Sequence, residues 1–556
     1  MKDFDILFID ETKRVSDSIF EDLSFENIKN AIFTEPEDDI LYKNFLAVLK
    51  CPLNDIEKIK ERQLILKDCL TYSNLAYELY DICLTKKPHT KLERVSVYQS
   101  IQQINGGEKL ESNWQYAENF FDIAERINRL LTARPFYSQS FNNMKEYFGQ
   151  TKIFELLKNQ IKEANSILDT RYSSMNITFT GNMNTRDAKI VSVIRPEKQK
   201  SQQNRISILD RIVKKNEKNE DVNPNRTYYD NPGNMISYLA EEIESRSVLC
   251  ITKMITTISS AMKTLFERIA RQLLFYQAAM KVVKFYEKHN VNSVYPDFAQ
   301  FSQKNGIIAE EIYDLSFFSY LAHLETIRAA EEKANAIKAD ENSDASVEST
   351  EISERKINIT DNEFTTEESN IFFITGPNQG GKTTFLRSIG IAQLFAQSGL
   401  PVPAKKYNCG AFNSIMTHFP KLEDDNLDYG KLAEELTRIR EDFPMTKDGG
   451  LVLLNESFAT TTAKEGIDIA SDVITAMAKT DSVIIFVTHL YELALDAENL
   501  AAKLPCNQKT QENHKIINLI AQYRTSADES QQAERTYKII PGTPQKQVFA
   551  LDLVRI

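Results

Sequence analysis

The residues that carry the most chemical information lie in Ile371–Thr384, IFFITGPNQGGKTT, where an apolar strand pattern runs into a G-x-x-x-x-G-K-T loop. Gly376, Gly380 and Gly381 let backbone N–H groups close around phosphate oxygens where any side chain would collide. Pro377, Asn378 and Gln379 complete the loop, and Lys382 is expected to reach the outer phosphates. Thr383 offers a hydroxyl to Mg²⁺, Thr384 follows it, and the helical pattern FLRSIGIAQLFAQ beyond them points its positive dipole end at the anion. A glycine-rich turn with an incidental Lys-Thr is the plain alternative. Strand, loop and helix occurring together favour a nucleotide-triphosphate cradle.

A second motif, LVLLNESFATTT, places the apolar run Leu451–Leu454 before Asn455 and Glu456. Such an acidic strand end suits a metal's water shell at its first position and a general base, Glu456, at its second. Asn455 keeps an acceptor oxygen without the charge of the usual aspartate, so Mg²⁺ should be held through water or more weakly. A third apolar run, Val483–Val487, ends in Thr488 and His489. Alone, His489 reads as a strand-end histidine bonded to backbone. Beside two nucleotide motifs it becomes a sensor of the γ-phosphate, and Lys382, Glu456 and His489 together form the candidate catalytic set. Tips of an open parallel sheet converge on one crevice, so three motif-bearing tips predict one site.

The elements that must position these residues belong to a chain of 556 residues, 42% hydrophobic and 26% charged, enough for several domains. Its start, MKDFDILFID, lacks the pattern of a signal peptide, and no apolar stretch is long enough to span a membrane, so a cytoplasmic protein is expected. Cys51, Cys69, Cys83, Cys250, Cys409 and Cys506 form no C-x-x-C pair, which argues against a disulfide framework or a zinc site.

The net charge of −12 argues against a surface coated in positive charge for indiscriminate DNA binding. A local basic run nevertheless lies in Ile194–Tyr229, with Arg195, Lys198, Lys200, Arg205, Arg211, Lys214 and Lys215 as candidate DNA contacts. A solvated charged hairpin explains the same run equally well.

Residues 1–94 have a helical pattern. Residues 95–328 read as long helices interrupted around 170–235, where NITFTGNMNTRDAKIVSVI alternates as a strand pair. Ile251, Ile255, Ile258, Met262, Leu265 and Ile269 recur in four- and three-residue steps, the seam of a coiled coil, and no proline or glycine interrupts from Val248 to His289. Residues 329–355 read as a frayed helix leading into an acidic linker, and 356–556 as the nucleotide-binding domain.

The segments GPNQGGKTTFLRSIGIAQLFAQSGLPVPAKK, NESFATTT and FVTHLYEL together resemble the ATPase domain of the MutS family. The resemblance includes the V-P-A element at Val402–Ala404 and covers roughly the last third of the chain. CPLNDIEKIKERQLIL at Cys51–Leu66 is similar to the family's PL-x-D…I-x-x-RQ core element. It implies a multidomain chain: an α-helical core, a lever with a small β-containing clamp, and an α/β P-loop ATPase domain of ABC/MutS type. It further implies ATP and Mg²⁺ as ligands, a homodimer with nucleotide at its interface, DNA as partner and no membrane.

Two departures qualify it. Mismatch-reading members carry a Phe-x-Glu wedge in an additional amino-terminal domain, whereas here only Phe33–Glu35 and Phe285–Glu287 match in letters, as chance allows with 31 Phe. The family's Gly-Arg-Ser-Thr signature, whose serine approaches the neighbouring subunit's γ-phosphate, is replaced by DDNLDYGKLAEELTRIRE. Gly430 and Lys431 are the candidates for that contact; no serine stands there, and the spacing to Glu435 is shorter. The leading expectation is a MutS-like ATPase that clamps on DNA without the wedge, in transactions related to mismatch repair or recombination. The alternative is an ATP-gated scaffold with a protein partner. A chromosome-organising ATPase would need a far longer coiled coil, and a small-molecule kinase leaves the long helices without a role.

Overall fold

The computed structural model describes residues 4–9, 12, 14–84, 106–150, 155, 159, 171–179, 185–194, 232–301, 305–340, 357–420, 430–459, 461–505, 514–524 and 534–544. Met1–Phe4 with Tyr77–Arg271 make one compact unit, and Asp5–Ala76 with Gln272–Ile556 make another. The elements in chain order are α1 (Ile19–Asp22), α2 (Phe25–Ile32), α3 (Asp38–Leu49), α4 (Ile56–Thr71), α5 (Leu75–Leu84), α6 (Gly106–Thr132) and α7 (Gln139–Gly149). After them come strands β1 (Arg171–Phe179) and β2 (Thr185–Ile194) and the 58-residue helix α8 (Pro232–His289).

The first unit is built on α6, α7 and α8 up to Arg271. Aromatic rings join them: Phe266 of α8 stacks on Phe120 of α6 at 6.0 Å and on Phe148 of α7 at 6.2 Å. On the predicted seam Met262, Leu265 and Ile269 are buried. β1 and β2 pair antiparallel, as the alternating pattern leads one to expect. The run carrying Arg195, Lys198, Lys200, Arg205, Arg211, Lys214 and Lys215 lies outside the described residues.

The second unit holds the nucleotide motifs. Beyond α8 it continues with β3 (Ile307–Ile312), α9 (Leu315–Asp340), β4 (Asn362–Thr365), β5 (Ile371–Thr375), α10 (Lys382–Ser398), β6 (Lys406–Cys409) and β7 (Ile415–His418). Then follow α11 (Lys431–Asp442), β8 (Leu451–Asn455), α12 (Ala463–Ala478), β9 (Val483–Val487), α13 (Tyr491–Leu495), α14 (Ala497–Lys503), β10 (Ile516–Arg524) and β11 (Glu534–Pro541). Of the expected linker, residues 329–340 are the end of α9, and 341–355 lie outside the described residues.

Six strands form the main sheet in the order β11-β10-β5-β9-β8-β7. All neighbours pair parallel except β11, which runs antiparallel to β10. Strands β5, β8 and β9 are buried at every position, which explains their unbroken apolar runs: a parallel sheet covered on both faces has no polar side to alternate with. On one face Phe373, Val452, Leu454, Ile484 and Phe486 meet Ile474 and Met477 of α12. The other face carries α10, which is buried without a break from Ser388 to Ser398. Such a helix is covered on all sides because it lies between two layers. The outer layer includes α3 and α4.

The PL-x-D…I-x-x-RQ element has a physical explanation in this layer. Asp55 caps α4 by accepting from the N–H groups of Glu57 and Lys58. Leu53 exchanges hydrogen bonds with Gln397 of α10: its N–H donates to the Gln397 carbonyl at 3.0 Å, and its own carbonyl accepts from Gln397 Nε2 at 2.7 Å. Arg62 is wholly buried and donates through Nε to the Leu7 carbonyl at 2.6 Å and through Nη1 to the Ser398 carbonyl at 3.5 Å. Burial pulls its guanidinium down to about 10.

The phenylalanines of both Phe-x-Glu matches are core residues. Phe33 packs between Tyr42 and Phe45, and Phe285 lies against His289 and Phe318, so neither ring is free to intercalate. Among the described residues, Cys51, Cys69, Cys83 and Cys409 form no disulfide. Among the described residues, no helix is long and apolar enough to cross a membrane.

Candidate nucleotide site

The loop Gly376–Gly381 joins β5, third strand of the sheet, to the start of α10. Gly376 takes φ 134° and Gly381 φ 88°, values that side chains disfavour. Space is equally restrictive at Gly376 and Gly380, where a Cβ would come within 2.9 Å of the Ala521 Cβ on β10. Asn378 and Gln379 are exposed, and Lys382 is buried at 4% exposure. Its ammonium donates to the carbonyls of Gly376 at 3.0 Å and Pro377 at 2.9 Å, which leaves one of its three protons for an anion. Burial lowers the Lys382 pKa, and the Glu456 carboxylate partly offsets this.

Thr383 donates through Oγ1 to Asn455 Oδ1 at 3.1 Å, so the loop and the tip of β8 meet as the motifs imply. One residue further, the Glu456 carboxylate lies 2.8 Å from His489 Nε2, just past the tip of β9. This hydrogen bond is the main reason that Glu456 titrates below the ordinary carboxylate range; burial opposes it, and the charges of His489 and Lys382 assist. Because β9 lies between β5 and β8, Lys382, Thr383, Asn455, Glu456 and His489 collect at the ends of three adjacent strands.

These residues fit the group the motifs call for. The loop's tight glycines, its buried lysine and the N-terminus of a 17-residue helix suit a polyphosphate. The Thr383 hydroxyl and the Asn455 carbonyl oxygen are neutral oxygen ligands, suited to a hard cation that keeps most of its waters. Among the described residues no group of three or more His, Cys, Asp or Glu forms a metal cage.

Other contacts were not legible as motifs. Beside the loop, Ile359, Thr360, Gln522, Arg535, Tyr537 and Lys538 line a cleft of about 430 Å³. Arg535 joins it to the loop by donating to Gln379 Oε1 at 2.9 Å. Nothing in the spacing of β11 marks Arg535, Tyr537 and Lys538; pairing with β10 brings that strand beside the loop.

The turn after β8 also takes unusual geometry. Glu456 has φ 50° and Phe458 φ 66°, left-handed values that cost non-glycine residues about 1–3 kcal/mol each. Ser457 between them shares a 2.8 Å hydrogen bond with His418 Nδ1 at the tip of β7. Burial, aided by the Arg438 charge, lowers His418 to about 4 and keeps the ring neutral. Gly430 stands exposed at the start of α11, with open space where a Cβ would be. Lys431 is the helix's first residue.

Two family models match this chain: MutS domain V over residues 372–541 and the MutS2 N-terminal domain over residues 54–289. The chain belongs to the MutS family. Among similar curated proteins, the MutS protein homolog 4 of Homo sapiens is 30% identical over 165 residues, 29% of this chain and 18% of that protein. The DNA mismatch repair protein MutS of Lactobacillus delbrueckii is 30% identical over 192 residues, 34% of this chain and 20% of the relative. The Endonuclease MutS2 of Streptococcus equi is 32% identical over 124 residues, 22% of this chain and 16% of the relative. The chain thus matches a fifth or less of the length of each of these relatives. The MutS domain V match begins inside β5 and ends with β11, so it takes in the strand tips just described and the α/β sheet that carries them.

Proposed function

We propose that this chain is a MutS-like ATPase in which residues 356–556 bind ATP with Mg²⁺ at an interface between two copies. Binding and hydrolysis there switch the helical core, 1–94, and the lever and clamp region, 95–328, between states that close on DNA. The observation that carries the reading is the gathering of Lys382, the Thr383–Asn455 pair and the Glu456–His489 pair on three adjacent strand tips.

Each side chain then has a role. Lys382 and the loop N–H groups hold the outer phosphates, and the neighbouring cleft takes the nucleoside. Thr383 and, through water, Asn455 would hold Mg²⁺, which would supply neutralisation of the phosphate charge. Glu456 accepts the proton of the water that attacks the terminal phosphorus, while His489 keeps that carboxylate ionised and aimed. ADP and phosphate leave. MutS relatives named for DNA mismatch repair support DNA as the partner. The altered signature at Gly430 and the net charge of −12 favour a protein-bound scaffold as the second reading.

ATP turnover at one fixed salt concentration, measured alone and with homoduplex, mismatched, branched and single-stranded DNA, separates the two. A selective change with one DNA structure supports the clamp. Turnover indifferent to every DNA supports the scaffold.

A further inference from the structure

The strained turn that presents Glu456 is held from three directions. The Glu456 N–H donates to the Val487 carbonyl at 2.7 Å, Ser457 is tied to His418 at 2.8 Å, and the Phe458 N–H donates to Glu435 Oε2 at 3.1 Å. The first two holds come from the neighbouring strands β9 and β7. The third comes from α11, outside the sheet. Phe458 is buried at 1% exposure, so its amide needs that acceptor.

α11 is tied down again one turn further along. Arg438 donates to the Phe419 carbonyl at 3.2 Å and to Ser18 Oγ at 3.0 Å, with Asp22 at 3.9 Å. Residues three apart share a helix face, so Glu435 and Arg438 fix the side of α11 that meets the sheet end and the amino-terminal segment. Its other end, Gly430, is exposed.

We propose that Glu435 is a positioning residue for hydrolysis: by accepting from the Phe458 N–H it locks the turn that aims the Glu456 carboxylate. This rests on Glu456 acting as the general base, as proposed above.

The test uses the full chain with Glu435→Ala and Glu435→Gln. Three quantities are read: maximal ATP turnover, dissociation constant for a fluorescent ATP analogue, and deuterium uptake of the peptide containing Phe458. Glu435→Ala should lower turnover about tenfold or more, leave the dissociation constant within about twofold, and speed exchange at Phe458. Glu435→Gln, whose amide oxygen still accepts, should recover most of both. In a Glu456→Gln background, Glu435→Ala should lower turnover no further. Unchanged exchange at Phe458 in Glu435→Ala overturns the proposal, as does an affinity loss equal to the turnover loss, or a Glu435→Gln defect as deep as that of Glu435→Ala. If the wild type turns ATP over no faster than Lys382→Ala, the ATPase reading fails by itself, and Phe458 exchange still decides whether Glu435 holds the turn.

Discussion

Glu456 and His489 show how a short-range contact sets the working range of a carboxylate. A hydrogen bond from His489 favours the ionised form, so the folded pKa of Glu456 lies below its unfolded value. The ionised form and the stability linked to it are therefore complete above the ordinary carboxylate range, and both are lost only as pH falls through the depressed value. Replacing His489 by Ala removes that bond, and the acid limb of the turnover profile should move to higher pH; a limb that stays in place would assign it to another group. Asn455 offers a neutral oxygen beside Thr383, so Asn455→Asp should lower the Mg²⁺ concentration needed for half-maximal turnover. An unchanged Mg²⁺ dependence would put Asn455 outside the metal's water shell. Lys382, Thr383, Asn455, Glu456 and His489 were legible in the sequence because each belongs to a motif of adjacent residues. Glu435 was not: its partner is a backbone N–H that lies 23 positions away and has no residue type to recognise.

The helix α10 joins the phosphate loop to the amino-terminal layer. Its helical pattern was legible in the sequence, but its burial was not, and the polar residues at its far end, Gln393 and Gln397, gave no hint of their use. They are fully buried and bonded: Gln397 Nε2 to the carbonyls of Leu53 and Phe412, and Gln393 Nε2 to the Gly410 carbonyl. The helix ends in a left-handed Gly399, where a Cβ would come within 2.6 Å of the Arg62 Cβ. Arg62→Ala would remove the donor that serves the Leu7 and Ser398 carbonyls and leave a cavity beside Phe275. It should cost about 3 kcal/mol, read as a fall in the denaturation midpoint. A midpoint unchanged from wild type would show that the cage of carbonyls is served equally well by water. The parallel strands were readable as unbroken apolar runs, whereas the order β11-β10-β5-β9-β8-β7 was not, since pairing between distant segments leaves no local signature.

The chain as a whole joins a sheet-bearing unit that holds the nucleotide motifs to a unit built on long helices, and α8 contributes to both. Helical periodicity revealed α8 from Val248 onward but not its start at Pro232, inside the stretch read as insertion, and alternation revealed the β1–β2 pair, because both are period signals carried by many residues. The division at Arg271, inside α8, had no such signal: no proline, glycine or change of composition marks it. On the function proposed above, with ATP held between two copies, the chain should associate most strongly when nucleotide is bound but not consumed. The most direct measurement is ATP binding and turnover by wild type, Lys382→Ala and Glu456→Gln side by side. Lys382→Ala should lose both, and Glu456→Gln should bind ATP at close to wild-type affinity while its turnover falls about a hundredfold or more. Wild-type turnover in Lys382→Ala, or rapid hydrolysis in Glu456→Gln, would contradict the proposed function.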